Sequence, residues 1–300
     1  MKAIILGTSS VFPTKDRNHA ATLLRYGGEG ILFDCGEGTQ RQLRIAGENL
    51  MKISKIFITH WHGDHSLGLA GLLDSMTMNQ GKKELEVYGP RGTKEKVKNL
   101  MKVFNIHPNY ALKVFDVDPK SIGVAAETSD YFVYAAKVSH TVPCLAYAFE
   151  QKPRIKIKMD YVGKFGLKDH DEIEKLRSGK NVRFEGKVIN AKKATYAIPG
   201  KKMAYILDTS VVDPIVELAK GADLLICEST FLNVLKTEAN KRGHMTSKQA
   251  ARLAKSAGVD QLILTHFSQR YKDLKPLLAE AKKIFPRSRL AKDFLEIIIK

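Results

Sequence analysis

The sequence has little cysteine, and this scarcity excludes two ways of stabilising a small fold. Only Cys35, Cys144 and Cys227 occur in 300 residues, widely separated and without a C-x-x-C pair. An odd and dispersed set of this kind predicts neither a disulfide framework nor a zinc ribbon. We therefore interpret all three cysteines as small residues of the hydrophobic core.

Long apolar runs are also lacking. No stretch approaches the roughly 18 apolar residues that a membrane-spanning helix requires, and the first apolar run, Ala3–Leu6, is far too short for a secretory signal. We therefore expect no membrane insertion and a cytoplasmic location. Length alone allows one domain or two, and we interpret residues 1–300 as a single decorated α/β domain.

Acidic residues are fewer than basic ones, and the imbalance points to a polyanionic partner. The chain has 49 Lys and Arg against 32 Asp and Glu, a formal net charge of +17 at pH 7. Such a charge attracts a polyanion through screened solution, and nucleic acid is the natural candidate. A lysine-rich solvated surface without any ligand is the alternative.

Apolar periodicity predicts a mixed α/β fold. Short apolar runs between turn residues indicate strands, at Ala3–Leu6, Gly30–Phe33, Ile53–Thr59, Leu85–Tyr88, Tyr131–Val138, Ala204–Leu207, Leu224–Cys227 and Leu262–Thr265. Amphipathic stretches indicate helices, at Thr39–Ala46, Leu67–Met78, Thr93–Phe104, Pro214–Ala219, Ser247–Ala257 and Leu274–Ile284. Two packed sheets with outer helices accommodate this order of elements.

One segment, residues 151–193, departs from this alternation. Turn residues and charges dominate it, and its 13 basic residues against 6 acidic ones give a net charge of +7. The residues alone leave two interpretations open. The segment is either an inserted basic arm or an ordinary charged surface loop with a helix at Asp169–Arg177.

The strongest chemical signal is the run T-H-W-H-G-D-H at residues 59–65, directly after a predicted strand. The imidazoles of His60 and His62, two residues apart in an extended turn, can converge on one cation. Asp64 and His65, closer to the next helix, can face a second cation beside it. In two-metal hydrolases such ions lie about 3.5–4 Å apart.

Further ligands are expected from other loops at the same sheet edges. His140 follows the predicted strand Tyr131–Val138, Asp208 follows Ala204–Leu207, and His266 follows Leu262–Thr265. A single histidine at a strand end is a weak signal. Together, however, these positions reinforce the cluster at residues 60–65.

The pattern H-x-H-x-D-H, followed by distant His, Asp and His, resembles the metallo-β-lactamase superfamily over nearly the whole chain. The resemblance implies an α/β fold of the αββα type, two packed mixed sheets with outer helices. It also implies two Zn²⁺ ions per subunit, with Mn²⁺ or Co²⁺ as alternatives. The implied ligands are His60, His62 and His140 for one ion, Asp64, His65 and His266 for the other, and Asp208 as the bridge. Asp34 matches the family's early aspartate, which supports the first histidines without binding metal.

Within the superfamily, local motifs resemble the short form of tRNase Z, the endonuclease that removes the 3′ trailer from precursor tRNA. F-D-C-G-E-G-T-Q at 33–40 is similar to the family's start, P-T-K-D-R-N at 13–18 matches its P-x-K-x-R-N loop, and T-H-F-S-Q-R-Y at 265–271 matches its last ligand motif. Lys15 and Arg17 are expected to hold phosphates. Asn18 offers paired donor and acceptor groups to a base or sugar.

The same resemblance assigns proton-transfer roles. L-I-C-E-S-T-F at 225–231 is similar to the family's H-E-A-T-F element, with Cys227 in place of histidine and Ser229 in place of alanine, and G-H-M-T at 243–246 is similar to its partner loop. It implies that Asp64 accepts the proton of the nucleophile. His244, oriented by Glu228, donates a proton to the leaving ribose oxygen.

In that family, the place of residues 151–193 is taken by an exosite arm that clamps the tRNA. This implies a protruding basic arm in which Lys156, Lys158 and Lys164 contact substrate, although the segment lacks the Gly-Pro motif of the common arm. The family's arm serves the active site of the other subunit. The resemblance therefore also implies a homodimer with precursor tRNA as its partner.

Two alternatives of other kinds remain. A small-molecule phosphodiesterase, or another hydrolase of the same fold, would use the same metals. A non-catalytic nucleic-acid-binding protein would explain the charge. The basic loop at 13–18 favours RNA cleavage over the first alternative, and the complete ligand set favours it over the second.

Overall fold

The computed structural model describes residues 1–79, 81 and 84–300. The strands in this part are, in chain order, β1 (Lys2–Gly7), β2 (Ala21–Tyr26), β3 (Glu29–Phe33), β4 (Ile53–Phe57), β5 (Glu84–Pro90), β6 (Ala111–Val117), β7 (Ile122–Glu127), β8 (Tyr131–Val138), β9 (Cys144–Gln151), β10 (Arg154–Ile157), β11 (Val182–Phe184), β12 (Lys187–Ile189), β13 (Thr195–Ile198), β14 (Lys202–Ile206), β15 (Leu224–Glu228), β16 (Gln261–Thr265), β17 (Ser288–Leu290) and β18 (Glu296–Ile298).

The helices are α1 (Thr39–Ile45), α2 (Gly63–Ser66), α3 (Gly68–Met78), α4 (Thr93–Val103), α5 (Met159–Gly163), α6 (His170–Arg177), α7 (Ala191–Ala194), α8 (Asp213–Ala219), α9 (Lys236–Lys241), α10 (Ser247–Ala257) and α11 (Lys275–Lys282). Helix α10 begins at a capping box, because Thr246 and Gln249 satisfy each other's backbone N–H groups. In the part of the chain that the structure describes, no helix has the length and apolar character needed to cross a bilayer.

Two seven-stranded sheets form the centre of the fold. Their strand orders are β18-β1-β2-β3-β4-β5-β6 and β17-β16-β15-β14-β9-β8-β7. Each sheet is mixed: β3 to β6 run parallel in the first, and β14 to β17 run parallel in the second. This arrangement confirms the predicted pair of packed mixed sheets.

Successive side chains of a strand belong alternately to two apolar layers. In β1, Ala3 and Ile5 belong to the cluster between the two sheets, whereas Ile4 and Leu6 belong to the cluster under α1, α3 and α4. Successive side chains of a strand point to opposite faces, so one strand contributes to both layers. Helices α8, α10 and α11 cover the outer face of the second sheet.

Strand direction brings the loops of the site to one edge. Within the first sheet, β1, β3 and β4 all end there, since β1 and β3 are each antiparallel to β2. In the second sheet, β8, β14, β15 and β16 share one direction because β9 runs antiparallel to both β8 and β14. Loops that follow these strands therefore meet at the carboxyl ends of both sheets.

Residues 154–198 build a small substructure of their own. Strands β10 and β13 pair antiparallel, with Ile157 opposite Thr195, and β11 pairs with β12. A separate apolar cluster that includes Val162, Leu176 and Ile189 lies within it. The closing strand β13 ends at Ile198, so the unit extends beyond the predicted boundary at residue 193. Its function as an exosite remains a prediction.

Every predicted strand and helix has a counterpart, with ends shifted by at most two residues. The periodicity did not identify β2, β6, β7, β9 or the short strands β17 and β18. Strand β6 lies at a sheet edge, where its burial alternates only between half-buried and exposed. Three buried, unpaired cysteines confirm the interpretation of these residues as core residues.

Replacing Phe33 with alanine should strongly destabilise the fold. Phe33 is fully buried between the sheets, with its ring centroid 5.5 Å from those of both Phe57 and Tyr205. Loss of this ring should lower the free energy of unfolding by about 3–5 kcal/mol. Chemical denaturation in the presence of a chelator measures this, so that metal binding does not contribute. The control Phe104→Ala, at a residue 62% exposed, should cost less than about 1 kcal/mol. Equal losses would contradict the assigned packing.

Candidate metal centre

The loop after β4 carries the first group of candidate ligands. His60 Nε2 lies 3.0 Å from His62 Nδ1, which in turn lies 3.2 Å from Nε2 of His140, the residue that follows β8. These three side chains form one of the groups whose donor atoms lie mutually close enough to hold a metal ion. The structure thus brings together residues that are 78 positions apart in the chain.

A second group forms beside the first. Nε2 of His65 lies 3.2 Å from Nε2 of His266, and Oδ2 of Asp64 lies 3.5 Å from each of these nitrogens. His65 and His266 are fully buried, and Asp64 is nearly so. This is the trio expected for the second ion.

Asp208 lies between the two groups. Its buried Oδ2 atom lies 2.9 Å from His65 Nε2 and 3.3 Å from His266 Nε2, yet it accepts no hydrogen bond of acceptable geometry. Asp208 also lies close enough to His60, and to His140, to share a metal ion with either residue. A buried carboxylate oxygen without a hydrogen-bond donor is costly unless a cation binds it.

The spacing of the donor atoms fits cation binding. Ligands about 2.0–2.2 Å from a zinc ion in tetrahedral or octahedral geometry lie roughly 3.0–3.5 Å from one another. The measured donor-to-donor distances span 2.9–3.5 Å. The imidazole and carboxylate donors suit zinc, and also manganese or cobalt. The residues present therefore fit the expected metal.

The outer ring nitrogens of the histidines are held by the protein. Nδ1 of His65 donates to Asp34 Oδ2 at 2.8 Å, and Nδ1 of His140 donates to the carbonyl of Gly243 at 3.0 Å. Because both partners are acceptors only, these Nδ1 atoms carry the hydrogen and each Nε2 lone pair faces the centre. Nδ1 of His60 and of His266 lie 3.0 and 3.1 Å from threonine hydroxyl groups.

Burial and charge set the protonation of the centre. Burial lowers the pKa values of His60 and His140, which favours neutral imidazoles with free lone pairs. Burial would raise the pKa of Asp64, but the positive charge of His65 together with hydrogen bonds from His266 and His65 outweighs burial, and the pKa is lowered. Burial lowers the pKa of His65, but the charges of Asp208 and Asp34 outweigh it and raise the value. Negative charge that attracts a proton to His65 also attracts a cation.

Asp34 supports this arrangement from behind. Its fully buried carboxylate accepts hydrogen bonds from Thr59 N at 2.7 Å, from the Thr59 hydroxyl and from the Tyr205 hydroxyl, as well as from His65. Thr59 in turn contacts His60. The Asp34 carboxylate thereby orients both His60, through Thr59, and His65. This is expected for a residue that supports metal ligands without binding the metal itself.

Glu228, the last residue of β15, orients His244. Nδ1 of His244 lies 3.2 Å from Glu228 Oε2 and 3.3 Å from Asp208 Oδ1. Burial opposes protonation of His244, but the charge and hydrogen bond of Glu228 together with the charge of Asp208 outweigh burial and raise the pKa to about 9. The buried Glu228 is itself held by Thr209 N and the Thr230 hydroxyl, each at 2.7 Å. The pair expected from the H-E-A-T-F-like element is thus brought together despite Cys227.

Left-handed backbone conformations mark the strand ends of the centre. Asp34, Asp208 and His266 have φ angles of 58°, 46° and 58°. Such values are uncommon for residues other than glycine and are concentrated at functional sites, where the surrounding structure holds them. All three side chains contact His65 from these positions.

The sequence did not identify several residues that hold the ligands. Thr59 and Thr230 contact His60 and His266, and the Gly243 carbonyl accepts from His140. Gly243 has φ +68°, and a Cβ atom there would lie 2.8 Å from His140 Nδ1. The G-H-x-T setting was a signal for this glycine. The Thr230–His266 contact joins two separate loops and has no spacing signature.

The loop at 13–18 lies at the same sheet edge, with its side chains divided between two tasks. Arg17 Nη1 donates to the carbonyl of Tyr271 at 3.0 Å, and Asn18 Nδ2 donates to the carbonyl of Glu37 at 2.8 Å. These two side chains hold the loop in place. Lys15 is exposed and lines a cleft of about 580 Å³ with Arg17, Lys272 and Lys292.

The three arm lysines lie outside the metal cluster. Lys156 is on β10, whereas Lys158 and Lys164 flank α5 and line an open cavity of about 540 Å³ with Tyr161 and Tyr196. Basic groups beside aromatic rings are typical of surfaces that bind single-stranded nucleic acid. No contact in the structure assigns them a role.

The chain is similar to known proteins along its whole length. A family model described as Anti-Pycsar protein Apyc1 matches residues 1–161, and one described as beta-lactamase superfamily domain matches residues 178–267. The chain is 40% identical over 303 residues to a ribonuclease Z of Methanothermobacter thermautotrophicus, covering 100% of this chain and 97% of the relative. A ribonuclease Z of Ignicoccus hospitalis is 38% identical, covering 99% and 97%.

A solved structure agrees with these relatives. The crystal structure of human tRNase Z, short form, superposes with a TM-score of 0.74 at 28% identity, covering 100% of both chains. Likeness over the full length of both chains means that the two proteins share the overall fold.

Asp34→Asn should weaken metal binding without removing a ligand. The amide cannot accept from all its present donors, so the orientation of His65 and Thr59 should loosen. Loss of such a supporting group typically costs about 10–100-fold in metal affinity. Competition with a chromogenic chelator measures the affinity. The control Asp130→Asn, in an exposed turn, should bind metal like the parent, and an unchanged affinity in Asp34→Asn would refute the supporting role.

Proposed function

The chain belongs to the ribonuclease Z family, and from this premise we propose that it is a metal-dependent endoribonuclease that removes the 3′ trailer from precursor tRNA. Cleavage leaves a 3′-hydroxyl on the tRNA and a 5′-phosphate on the trailer. The observation that carries the proposal is the convergence of seven candidate ligands and the 13–18 loop at one sheet edge.

We assign two metal ions to the centre, with zinc as the expected element. His60, His62 and His140 would hold one ion, Asp64, His65 and His266 the other, and Asp208 would contact both. The donor spacing and the unpaired Asp208 oxygen support this assignment. Divalent cations bound there would neutralise charge on the phosphoryl oxygens and lower the pKa of a water molecule.

Asp64 is positioned to accept the proton of the attacking water. An aspartate carboxylate is ionised at neutral pH, and the Oδ2 atom of Asp64 faces the centre beside His65 and His266. A base must be ionised and within hydrogen-bond reach of the proton that it removes. Asp64 therefore has both the position of a metal ligand and the ionised state that a general base requires.

His244 is positioned to donate a proton to the leaving ribose oxygen. Its Nδ1 faces Glu228 and Asp208, so Nε2 is the atom left for substrate. The raised pKa keeps the ring protonated at neutral pH, as a proton donor requires. The ring also lines a cavity of about 220 Å³ with Phe231 and Arg270, next to the metal ligands.

Basic groups around the centre provide the attraction for RNA. Lys15, Lys272 and Lys292 converge on one cleft, and no ion pair engages them within residues 1–79, 81 and 84–300. Unpaired lysines of this kind bind phosphates without base specificity. We extend the RNA surface to the arm lysines Lys156, Lys158 and Lys164.

A homodimer in which the arm of one subunit serves the other follows from the family resemblance, and we propose it on that basis. The cytoplasmic location stays a prediction of the sequence. Light scattering of the purified protein measures the oligomeric state directly.

Cleavage of a precursor tRNA with a 3′ trailer should be abolished by a chelator and restored by zinc. His62→Ala should lose activity by at least about 10³-fold, because it removes one ligand of the centre. His244→Ala should lose about 10²–10⁴-fold while retaining metal, since only proton donation is removed. Gel analysis of the end-labelled RNA measures the site and rate of cleavage.

Each competing function has its own outcome in this assay. Hydrolysis of small phosphodiesters without cleavage at the tRNA 3′ end would favour a small-molecule phosphodiesterase. Tight RNA binding without hydrolysis of either substrate would favour a non-catalytic binding protein. The matched control His107→Ala, at an exposed position, should cleave like the parent.

Shortening the arm should raise the KM for precursor tRNA and spare a small chromogenic phosphodiester. Ile157 and Thr195 face each other in the β10–β13 pair, so residues 159–193 can be replaced by a short glycine-containing turn. This removes most of the arm's apolar cluster and leaves the paired strands. Steady-state kinetics on both substrates measures the effect, and equal losses on both would contradict the exosite role.

Charge reversal tests the same surface without deletion. Lys158→Glu with Lys164→Glu should raise the KM for tRNA and reduce its salt dependence, because phosphate contacts release counterions. The control pair Lys94→Glu with Lys98→Glu lies exposed on α4 and has the same charge change. Similar effects from both pairs would indicate a general charge effect.

A further inference from the structure

Asp293 is a half-buried carboxylate, between β17 and β18, that has no part in the proposed chemistry. Its Oδ1 atom accepts from the Thr8 hydroxyl at 2.7 Å. Its Oδ2 atom accepts from the backbone N–H of Asn18 at 2.7 Å and from Gln42 Nε2 at 3.1 Å. Three segments, each 251–285 positions from Asp293 in the chain, thus meet at its side chain.

Each of the three segments has a defined place in the site. Thr8 follows β1, and its carbonyl accepts from the N–H of Phe267, the residue after the candidate ligand His266. Asn18 ends the 13–18 loop. Gln42 lies on α1 and also donates to the carbonyl of Leu6 at 2.7 Å. The Asp293 carboxylate therefore connects the RNA-contacting loop with the backbone that carries a metal ligand.

Polar contacts restrain the loop more than apolar packing does. Val11 and Phe12 are 56% and 57% exposed, and residues 13, 15 and 16 are exposed as well, so apolar packing contributes little. The polar contacts at Arg17 and Asn18 hold its returning end. Because Asp293 accepts from the Asn18 backbone, it restrains the loop whatever side chains the loop carries.

A carboxylate suits this position better than a neutral side chain. It presents two acceptor oxygens to three donors, and hydrogen bonds to a charged acceptor are stronger than neutral ones. Its negative charge also favours the protonated guanidinium group of Arg17, which burial would otherwise disfavour. Asp293 thus holds both the end of the loop and its arginine.

We propose that Asp293 is a positioning residue that holds the 13–18 loop in register with the metal centre. The loop then presents Lys15 to a substrate phosphate while the adjacent phosphodiester lies at the candidate ligands. Part of this inference rests on the proposed function, since the loop's ligand is taken to be RNA. The restraint of the loop by Asp293 does not depend on the proposed function.

The kinetic test compares two substitutions on two substrates. Asp293→Ala should raise the KM for precursor tRNA by about tenfold or more, because it leaves donors unpaired and releases the loop. Turnover of a small chromogenic phosphodiester should change less than about twofold, since no metal ligand moves. Asp293→Asn retains one acceptor oxygen for Asn18 and a donor for the Thr8 hydroxyl, so it should recover most of the loss.

Hydrogen exchange tests the restraint without reference to activity. The N–H groups of Ser9 and Asn18 are hydrogen-bonded in the structure, to the carbonyl of Asn18 and to Asp293 respectively. Peptides covering residues 9–19 should exchange faster in Asp293→Ala than in the parent or in Asp293→Asn. Peptides covering residues 60–65 should be unchanged.

A control and a double variant complete the design. Asp260→Ala removes an exposed carboxylate that pairs with Arg287, so it reports the effect of the charge change alone. In a Lys15→Ala background, Asp293→Ala should add little to KM if it acts through the loop. Unchanged exchange at residues 9–19, equal losses on both substrates or an effect matched by Asp260→Ala would each overturn the proposal. A parent that cleaves no precursor tRNA but shows the exchange difference would refute only the proposed function.

Discussion

The structure depends on one electrostatic constraint, the burial of carboxylates and imidazoles at the edge shared by the two sheets. Asp34 and Asp208 are buried and Asp64 nearly so, and six histidine rings lie in the same cluster. Charged groups can stay in the protein interior only when opposite charge or hydrogen bonds compensate them. The outer contacts of the histidines supply part of this compensation. A divalent cation at the inner nitrogens and carboxylate oxygens would supply the rest.

The same constraint explains the local backbone. Parallel strands deliver their following loops to one edge, but a side chain directly after a strand must turn to reach a point between the sheets. Asp34, Asp208 and His266 achieve this with left-handed backbone conformations. Thr59, Thr230 and Gly243 then hold the rings from outside. Backbone conformation, hydrogen bonding and charge are therefore parts of one arrangement, and the 13–18 loop is attached to it through Thr8 and Asp293.

Sequence patterns predicted much of this arrangement. The run of residues 60–65 has a density of ligand-type side chains that no packing role explains, and His140, Asp208 and His266 stand directly after apolar runs that form strands. The patterns failed where function or packing needs partners from elsewhere. Strand β9 was missed, although it lies in the second sheet between β8 and β14 and sets their common direction. The patterns also did not predict the backbone carbonyls to which Arg17 and Asn18 donate.

The sequence by itself determined the kind of chemistry, because imidazole and carboxylate groups at close spacing after strands have few uses other than metal binding. It also determined the alternation that separates the two core layers. Only the tertiary structure decided which atoms meet. Contacts such as Asp208 with His65 and Asp293 with Asn18 join segments far apart in the chain. Their distances depend on sheet order and strand direction, which arise from packing of the whole domain and have no local signature.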